Sequence, residues 1–384
     1  MSKRLVVLVG LLVVAVGASV ARMTWTQATD SAGWTARRGH AADTMGGQMW
    51  ITGGSTGTDS LQDVWRSPDG VTWTQATPAA QWYPRSEHAM ATFNGRLWIS
   101  GGAWPGGSND VWNSTDGVTW TQVTAAAQWH PRRSHCMLVH NGLLWVLGGT
   151  EYSLFWFSDV WYSPDGDTWT RATSDAEWPV RANLCAVSFG GNIIVYAGHS
   201  PGSYFDDVWS SPDGINWTRL NPSAGWHRRD QAACAVFHDK LWLLGGQDTT
   251  RFSDVWYSST GETWRRADSA AGWTARCDFS SVVLDDKIWV IGGYDGDDCN
   301  DVWYSTGDLG VSEEQGAIGF AHAPAAFVAR SGSYRCSDRT ELYDSDGKLA
   351  AVLQEGQNPL DVSPGVYFAV SGPGGTSSRL IVTP

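Results

Sequence analysis

The stretch Asp63-Val64-Trp65-Arg66-Ser67-Pro68-Asp69-Gly70-Val71-Thr72-Trp73-Thr74 decides the fold. Asp-Val-Trp brings a β-branched residue and an aromatic together, the chemistry of a strand. Ser-Pro-Asp-Gly is a turn: Pro presets φ and Gly accepts a left-handed conformation. Thr-Trp-Thr then alternates polar and apolar, so a second strand returns beside the first. Asp-Val-Trp recurs with its Trp at 65, 112, 161, 209, 256 and 303, at intervals of 47, 49, 48, 47 and 47 residues.

Each unit carries further landmarks in fixed order. A Thr/Asn-Trp pair places Trp25, Trp73, Trp120, Trp169, Trp217 and Trp264. A Trp-x-x-Arg follows as Trp34/Arg37, Trp82/Arg85, Trp129/Arg132, Trp178/Arg181, Trp226/Arg229 and Trp273/Arg276. Thirteen residues beyond each Arg stands Trp50, Trp98, Trp145, Ile194, Trp242 or Trp289, three residues before a Gly-Gly that unit four replaces by Ala197-Gly198. This copying explains 25 Trp against 11 Tyr and 11 Phe. Between the landmarks the chain alternates, as in Ala89-Met90-Ala91-Thr92-Phe93 and Arg96-Leu97-Trp98-Ile99. Four short strands per unit, repeated six times, predict an all-β, six-bladed β-propeller of four-stranded blades. The first unit begins with an outer-strand motif, Thr24-Trp25-Thr26, and the sixth stops at Asp301-Val302-Trp303. The N-terminal strand is therefore expected to complete blade six and remove its open edge.

The pattern Arg-x-x-His…Gly-Gly…Asp-Val-Trp…Trp resembles the kelch repeat over roughly residues 23–305. The turn Ser67-Pro68-Asp69-Gly70-Val71-Thr72-Trp73 is similar to the Asp-box of sialidase-type propellers but one residue shorter, a likeness of turn chemistry only. Kelch-type propellers include binding modules, copper-radical oxidases and a sialic-acid mutarotase. The resemblance therefore leaves open a secreted enzyme acting on carbohydrate, oxidase-like or mutarotase-like. No copper-ligand or crosslink motif carries over to these residues, and no nucleophile–base pair or phosphate loop stands out.

Residues outside the repeat divide the chain further. Lys3 and Arg4 precede the apolar run Leu5 to Val16, too short to span a bilayer comfortably, and Ser19-Val20-Ala21 offers small residues for cleavage. Residues 1–21 read as a secretory signal peptide, an uncleaved anchor being the alternative; residues 22–306 as the propeller; residues 307–384 as a linker and small β-domain. The segments 341–348, 365–368 and 379–382 predict strands of a β-sandwich-like domain. It resembles the C-terminal sorting domain of type IX-secreted bacterial proteins, although Ala323-Pro324-Ala325-Ala326-Phe327 stands where that family opens with Tyr-Pro-Asn-Pro-Phe. An ordinary accessory β-domain is the alternative. The expectation is an exported bacterial protein, secreted or at the cell surface, monomeric, with no membrane insertion after cleavage.

Charge narrows the partners. The formal net charge is −13, with Lys only at positions 3, 240, 287 and 348 and no basic run. Such a chain is a poor match for nucleic acid. Of the six cysteines, Cys277 and Cys299 are expected to pair across the top of blade six, while Cys136, Cys185 and Cys234 read as buried thiols of inner strands.

In a propeller of this phase the Trp-x-x-Arg loops share one face, the top, with the variable segments 55–62, 103–109, 150–158, 199–206, 247–253 and 294–300. The six Arg form a ring there, readable as a polar clamp or as scaffold stacked on Trp. His40, His88 and His135 follow their Arg by three residues and read as packing rather than metal ligands. Asp295-Gly296-Asp297-Asp298 reads as a solvated acidic loop rather than a Ca²⁺ site. Neither a metal nor a cofactor is expected. Phe157, Phe205 and Phe252 share one repeat position and read as packing. Trp104, Tyr152, Phe155 and Trp156 break the repeat, and loop aromatics on a stiff support favour stacking against sugar rings or an apolar patch. The expected site is this platform with Arg85 or Arg132 beside it, binding an extracellular glycan or protein.

Overall fold

A computed structural model describes residues 23–103, 107–152 and 154–306, together with five strands nearer the C-terminus. The chain divides into two units, Met1–Val311 and Ser312–Pro384. The first holds six four-stranded antiparallel sheets. Blade one runs from strand a (Ala41–Met45) through b (Gln48–Thr52) and c (Val64–Ser67) to d (Thr74–Thr77), each hydrogen-bonded to the next. The a strands of the other blades are Ala89–Phe93, Cys136–His140, Cys185–Phe189, Ala233–Phe237 and Ser280–Leu284. Each a strand neighbours the next, and that of blade six neighbours that of blade one, so the ring is closed around a central channel.

The closure follows the expected phase. Blade six orders Ser280–Leu284, Lys287–Tyr294 and Asp298–Thr306, and its outer strand is Thr24–Thr29 from the N-terminus. Thr24 stands opposite Thr306 and Gln27 opposite Trp303. The aromatic packing repeats this exchange. In every blade the Trp of Trp-x-x-Arg meets the Trp at the start of the outer strand edge to face, as in Trp34–Trp73 at 5.9 Å and Trp129–Trp169 at 6.1 Å between centroids. In blade six the outer partner is Trp25, 5.8 Å from Trp273, supplied from the other end of the repeat array. Edge-to-face pairs of this kind add about 0.5–1.5 kcal/mol beyond area burial.

The turn glycines set how closely the blades pack. Gly117 has φ +70°, and a Cβ there would lie 2.1 Å from the ring of Trp50 on strand b of the preceding blade. Only glycine lets that Trp lie flat beneath the turn. The adjoining carboxylates hold the turn itself: Asp69 Oδ1 accepts the amides of Val71 and Thr72 at 2.9 and 2.8 Å, and Ser67 Oγ accepts that of Gly70 at 2.8 Å.

In the second unit the described strands form one five-stranded sheet, ordered Phe327–Arg330, Thr376–Thr383, Gly365–Ser371, Thr340–Tyr343, Leu349–Leu353, with the first pair parallel. The second layer of a sandwich is not among the described residues. The proposed signal peptide and the segment 323–326 also lie outside them.

The Cys277–Cys299 pair is corrected by topology, for both residues are free thiols. Cys277 bridges to Tyr294 and Cys299 pairs with Gly293. The two cysteines thus flank strand b from opposite sides, roughly 10 Å apart at two strand spacings, beyond the reach of a disulfide.

Candidate functional site

The top face is built on a clasp that each repeat makes within its own blade. In blade three, Arg132 grips Asp159 with both ends of its fork, Nη1 to Oδ1 at 2.7 Å and Nη2 to Oδ2 at 2.9 Å. Its remaining donors reach the carbonyls of Gly148 at 2.8 Å and His130 at 3.1 Å. Residues i and i+2 of a strand share a side, so the Trp161 indole donates to the same carboxylate at 2.7 Å. The guanidinium lies over Trp129 at 5.6 Å and over Phe157 at 4.3 Å. The clasp recurs as Arg37–Asp63, Arg85–Asp110, Arg181–Asp207, Arg229–Asp254 and Arg276–Asp301. The first Gly of each pair supplies the carbonyl at positive φ. A Cβ on Gly53 would come within 2.6 Å of the Arg85 carbonyl oxygen. Ala197 fills that place in blade four, and its carbonyl still accepts Arg181 at 3.0 Å.

This geometry corrects the sequence expectation for Arg85 and Arg132. Both are buried, at 1% and 0% exposure, with their forks filled by Asp110 and Asp159. They stiffen the scaffold beneath the face and offer no donors to a ligand. Phe205 and Phe252 lie under Arg181 and Arg229 at 4.2 and 4.3 Å, in the packing role their shared repeat position predicted.

Above the clasps the six residues two places after each Arg close around the axis: Gly39, Glu87, Ser134, Asn183, Gln231 and Asp278. All have φ between +51° and +58°. Their backbones are linked in sequence: Glu87 N–H to Gly39 O at 2.7 Å, Ser134 to Glu87 and Asn183 to Ser134 at 2.8 Å, Asp278 to Gln231 at 3.1 Å, and Gly39 to Asp278 at 2.9 Å. Left-handed φ in non-glycine residues is costly and collects at functional sites. The backbone here repeats with the fold, whereas the side chains do not. A cavity of about 150 Å³ opens at this mouth, walled below by His40, His88 and His135.

Those imidazoles are neutral packing groups. Burial, with the Arg37 guanidinium, depresses His40 to about 3, and burial with Arg132 does the same to His135. His88 Nε2 meets the Thr52 hydroxyl at 2.8 Å and His135 Nε2 the Ser100 hydroxyl at 3.0 Å. Among the described residues, no group of three His, Cys, Asp or Glu is placed to hold a metal ion.

The mouth is asymmetric in charge. Gln231 Nε2 donates to Asp278 Oδ2 at 2.7 Å, and Gln247 donates to Gln231 Oε1. Burial, followed by the carboxylates of Glu87 and Asp230, raises Asp278 to about 8, with Arg38 opposing. Asp278 is therefore largely protonated at neutral pH and can donate a proton in a hydrogen bond. Ser134 Oγ donates to Glu87 Oε2 at 2.5 Å, and Arg133 lies 3.4 Å from Glu87. Asn183 donates to Asp230 Oδ2 at 3.3 Å. His199 Nδ1 comes within 2.7 Å of the same oxygen, near enough to pair electrostatically but off the hydrogen-bond line.

Aromatic groups lead into this mouth from two sides. Trp156 meets His199 edge-on at 4.8 Å, and His199 lies 5.8 Å from Tyr204. On the far side, Tyr294 is sandwiched by Arg38 at 4.4 Å and Arg251 at 5.1 Å. Of the expected platform, Trp156 joins the mouth through His199. Tyr152 and Phe155 stand at the tip of the ribbon formed by Thr150–Glu151 and Phe155–Trp156, at 55% and 62% exposure. Trp104 lies outside the described residues. Sequence reasoning passed over Arg38, Glu87, Arg133, Asp230, Gln231 and Asp278. The available signal was that the second position after each repeated Arg differs in every unit while its frame does not.

Fold and repeat together define a six-bladed β-propeller whose units resemble the kelch repeat. Residues 275–304, the inner three strands of blade six, match the Kelch motif itself. No curated protein matches the chain. Among solved structures, that of YjhT is similar, with a TM-score of 0.59 over 72% of this chain and 96% of that one, at 16% identity, a likeness of fold alone.

Proposed function

We propose that the protein is a secreted or surface-associated binding module that recognises an extracellular glycan through its top face, centred on the channel mouth. One observation carries this reading: a backbone ring repeated six times bears a different residue in each unit, the five side chains of Glu87, Ser134, Asn183, Gln231 and Asp278 with Gly39 between them, over one cavity. Packing alone would keep the same residue in each unit, as it does for the clasp arginines. Carboxylates, amides and a hydroxyl match the alternating donors and acceptors of sugar hydroxyls, and Trp156 and Tyr204 offer aromatic rings at the rim. The apolar N-terminal segment supports an extracellular setting.

The test is a glycan array probed with the purified chain, then with Trp156→Ala and Glu87→Gln. Binding to a defined subset of glycans, lost in both variants at unchanged melting temperature, is expected. Full binding by both variants would move the site elsewhere, and a silent array with capture of an extracellular protein would replace the glycan by a protein ligand. A second reading, an enzyme on carbohydrate, is favoured by protonated Asp278 sharing a cavity with Glu87, a pairing suited to proton transfer. Chemical change in the arrayed glycan, abolished by Asp278→Asn, distinguishes it from binding.

A further inference from the structure

The inner strands of blades four and five carry two thiols that meet across the seam between the blades. Cys185 is the first residue of its strand, opposite Tyr196; Cys234 is the second of the next, opposite Leu243. Successive side chains on a strand point to opposite faces. This one-residue offset therefore turns Cys185 toward blade five and Cys234 back toward blade four. Both belong to one apolar cluster with Tyr196, Val208 and Leu243. Cys185 Sγ is 3.5 Å from the carbonyl oxygen of Ala232, two residues before Cys234, which sets the two thiols on facing sides of the seam.

Cys136 is a built-in comparison. It holds the first position in blade three, and its Sγ approaches the carbonyl of Ala186 at 3.4 Å. Ala186 occupies in blade four the place that Cys234 occupies in blade five, so Cys136 meets no thiol there.

The two seam thiols differ in character. Cys185 is sealed at 1% exposure, whereas Cys234 is half-buried on the channel wall. The neighbouring Cys185 lowers Cys234 against the effect of burial, and burial raises Cys185. The more acidic and more accessible thiol is the one suited to attack.

We propose that Cys234 and Cys185 form a redox-active dithiol site in the channel wall, which a small disulfide converts into a disulfide between blades four and five. The Cys234 thiolate attacks one sulfur of the small disulfide, forming a mixed disulfide and releasing one thiolate. Cys185, losing its proton to that thiolate, attacks the Cys234 sulfur and releases the second thiolate, which takes from water the proton Cys234 gave up on ionising. Two protein thiols are oxidised to one disulfide, and one small disulfide is reduced to two thiols. The site lies within three residues of Asn183 and Gln231, so closing it ties together the strands that hold two members of the ring at the mouth.

The experiment incubates the folded full chain with oxidised glutathione and maps peptides without reduction. A Cys185–Cys234 crosslink about two mass units below the free peptides, with Cys136 unlinked, is expected. Cys185→Ser should stop at a glutathione adduct on Cys234. Free thiols at both positions overturn the proposal, as does a Cys136–Cys234 crosslink. A glutathione adduct forming on Cys185 in Cys234→Ser as fast as on Cys234 in Cys185→Ser overturns the assignment of the attacking thiol.

Discussion

Replacing Arg132 by Met should destabilise the propeller strongly and leave ligand recognition intact. The side chain is fully buried, and its fork is filled by Asp159 at 2.7 and 2.9 Å. Met matches much of the volume but leaves the Asp159 carboxylate, only 10% exposed, with the Trp161 indole in place of a guanidinium. Breaking a buried pair from one side costs about 3–5 kcal/mol. The freed carbonyls of Gly148 and His130 make the upper part of that range the better guide. For a domain of this size each kcal/mol lowers the melting temperature by roughly 2–4 °C, so a drop of about 8–20 °C is expected. Thermal unfolding by circular dichroism, with urea titration for the free energy, measures it. A companion Arg132→Met/Asp159→Leu variant should recover part of the loss, because no charge is then left unpaired. A single variant within about 1 kcal/mol of the parent that fails to bind ligand would refute the reasoning, for Arg132 would then be a recognition group after all.

Deleting residues 22–28 should leave Asp298–Thr306 as an open edge and strip Trp25 from Trp273, giving aggregation or a much lower melting temperature; an unchanged midpoint would contradict the closure. Asp278 is raised to about 8 in the fold from 3.8, so its stabilising protonated form is complete below about pH 4 and is lost as pH rises through about 8. Asp278→Asn mimics the protonated carboxyl and should flatten the melting-temperature profile over that window; parallel profiles for the two proteins would exclude this origin. His40 and His135, depressed to about 3 from 6.5, act in the opposite direction and make stability fall as pH drops from about 6.5 toward 3, which a melting series in acetate and citrate buffers reads directly.

Much of this protein was legible before any coordinates. Repeated Asp-Val-Trp, Trp-x-x-Arg and Gly-Gly at near-constant spacing determine four strands per unit and six units, because each motif answers a local demand: a turn, a strand or a glycine conformation. The offset of one strand between the two ends determines that the N-terminal strand closes blade six. Phe157, Phe205 and Phe252 could be assigned to packing from their shared position alone. What only the tertiary structure decided is where each repeated or unrepeated group points. Arg132 and Asp159 are 27 residues apart, and sequence shows a ring of arginines without showing the carboxylates that consume their charge. Cys277 and Cys299 look adjacent at the top of one blade, yet strand b passes between them. Glu87, Gln231 and Asp278 come from three separate units and meet only because the ring closes. Local motifs specify strands and turns through short-range sterics and hydrogen bonding, whereas burial and charge pairing arise from neighbours that the closed propeller alone brings together.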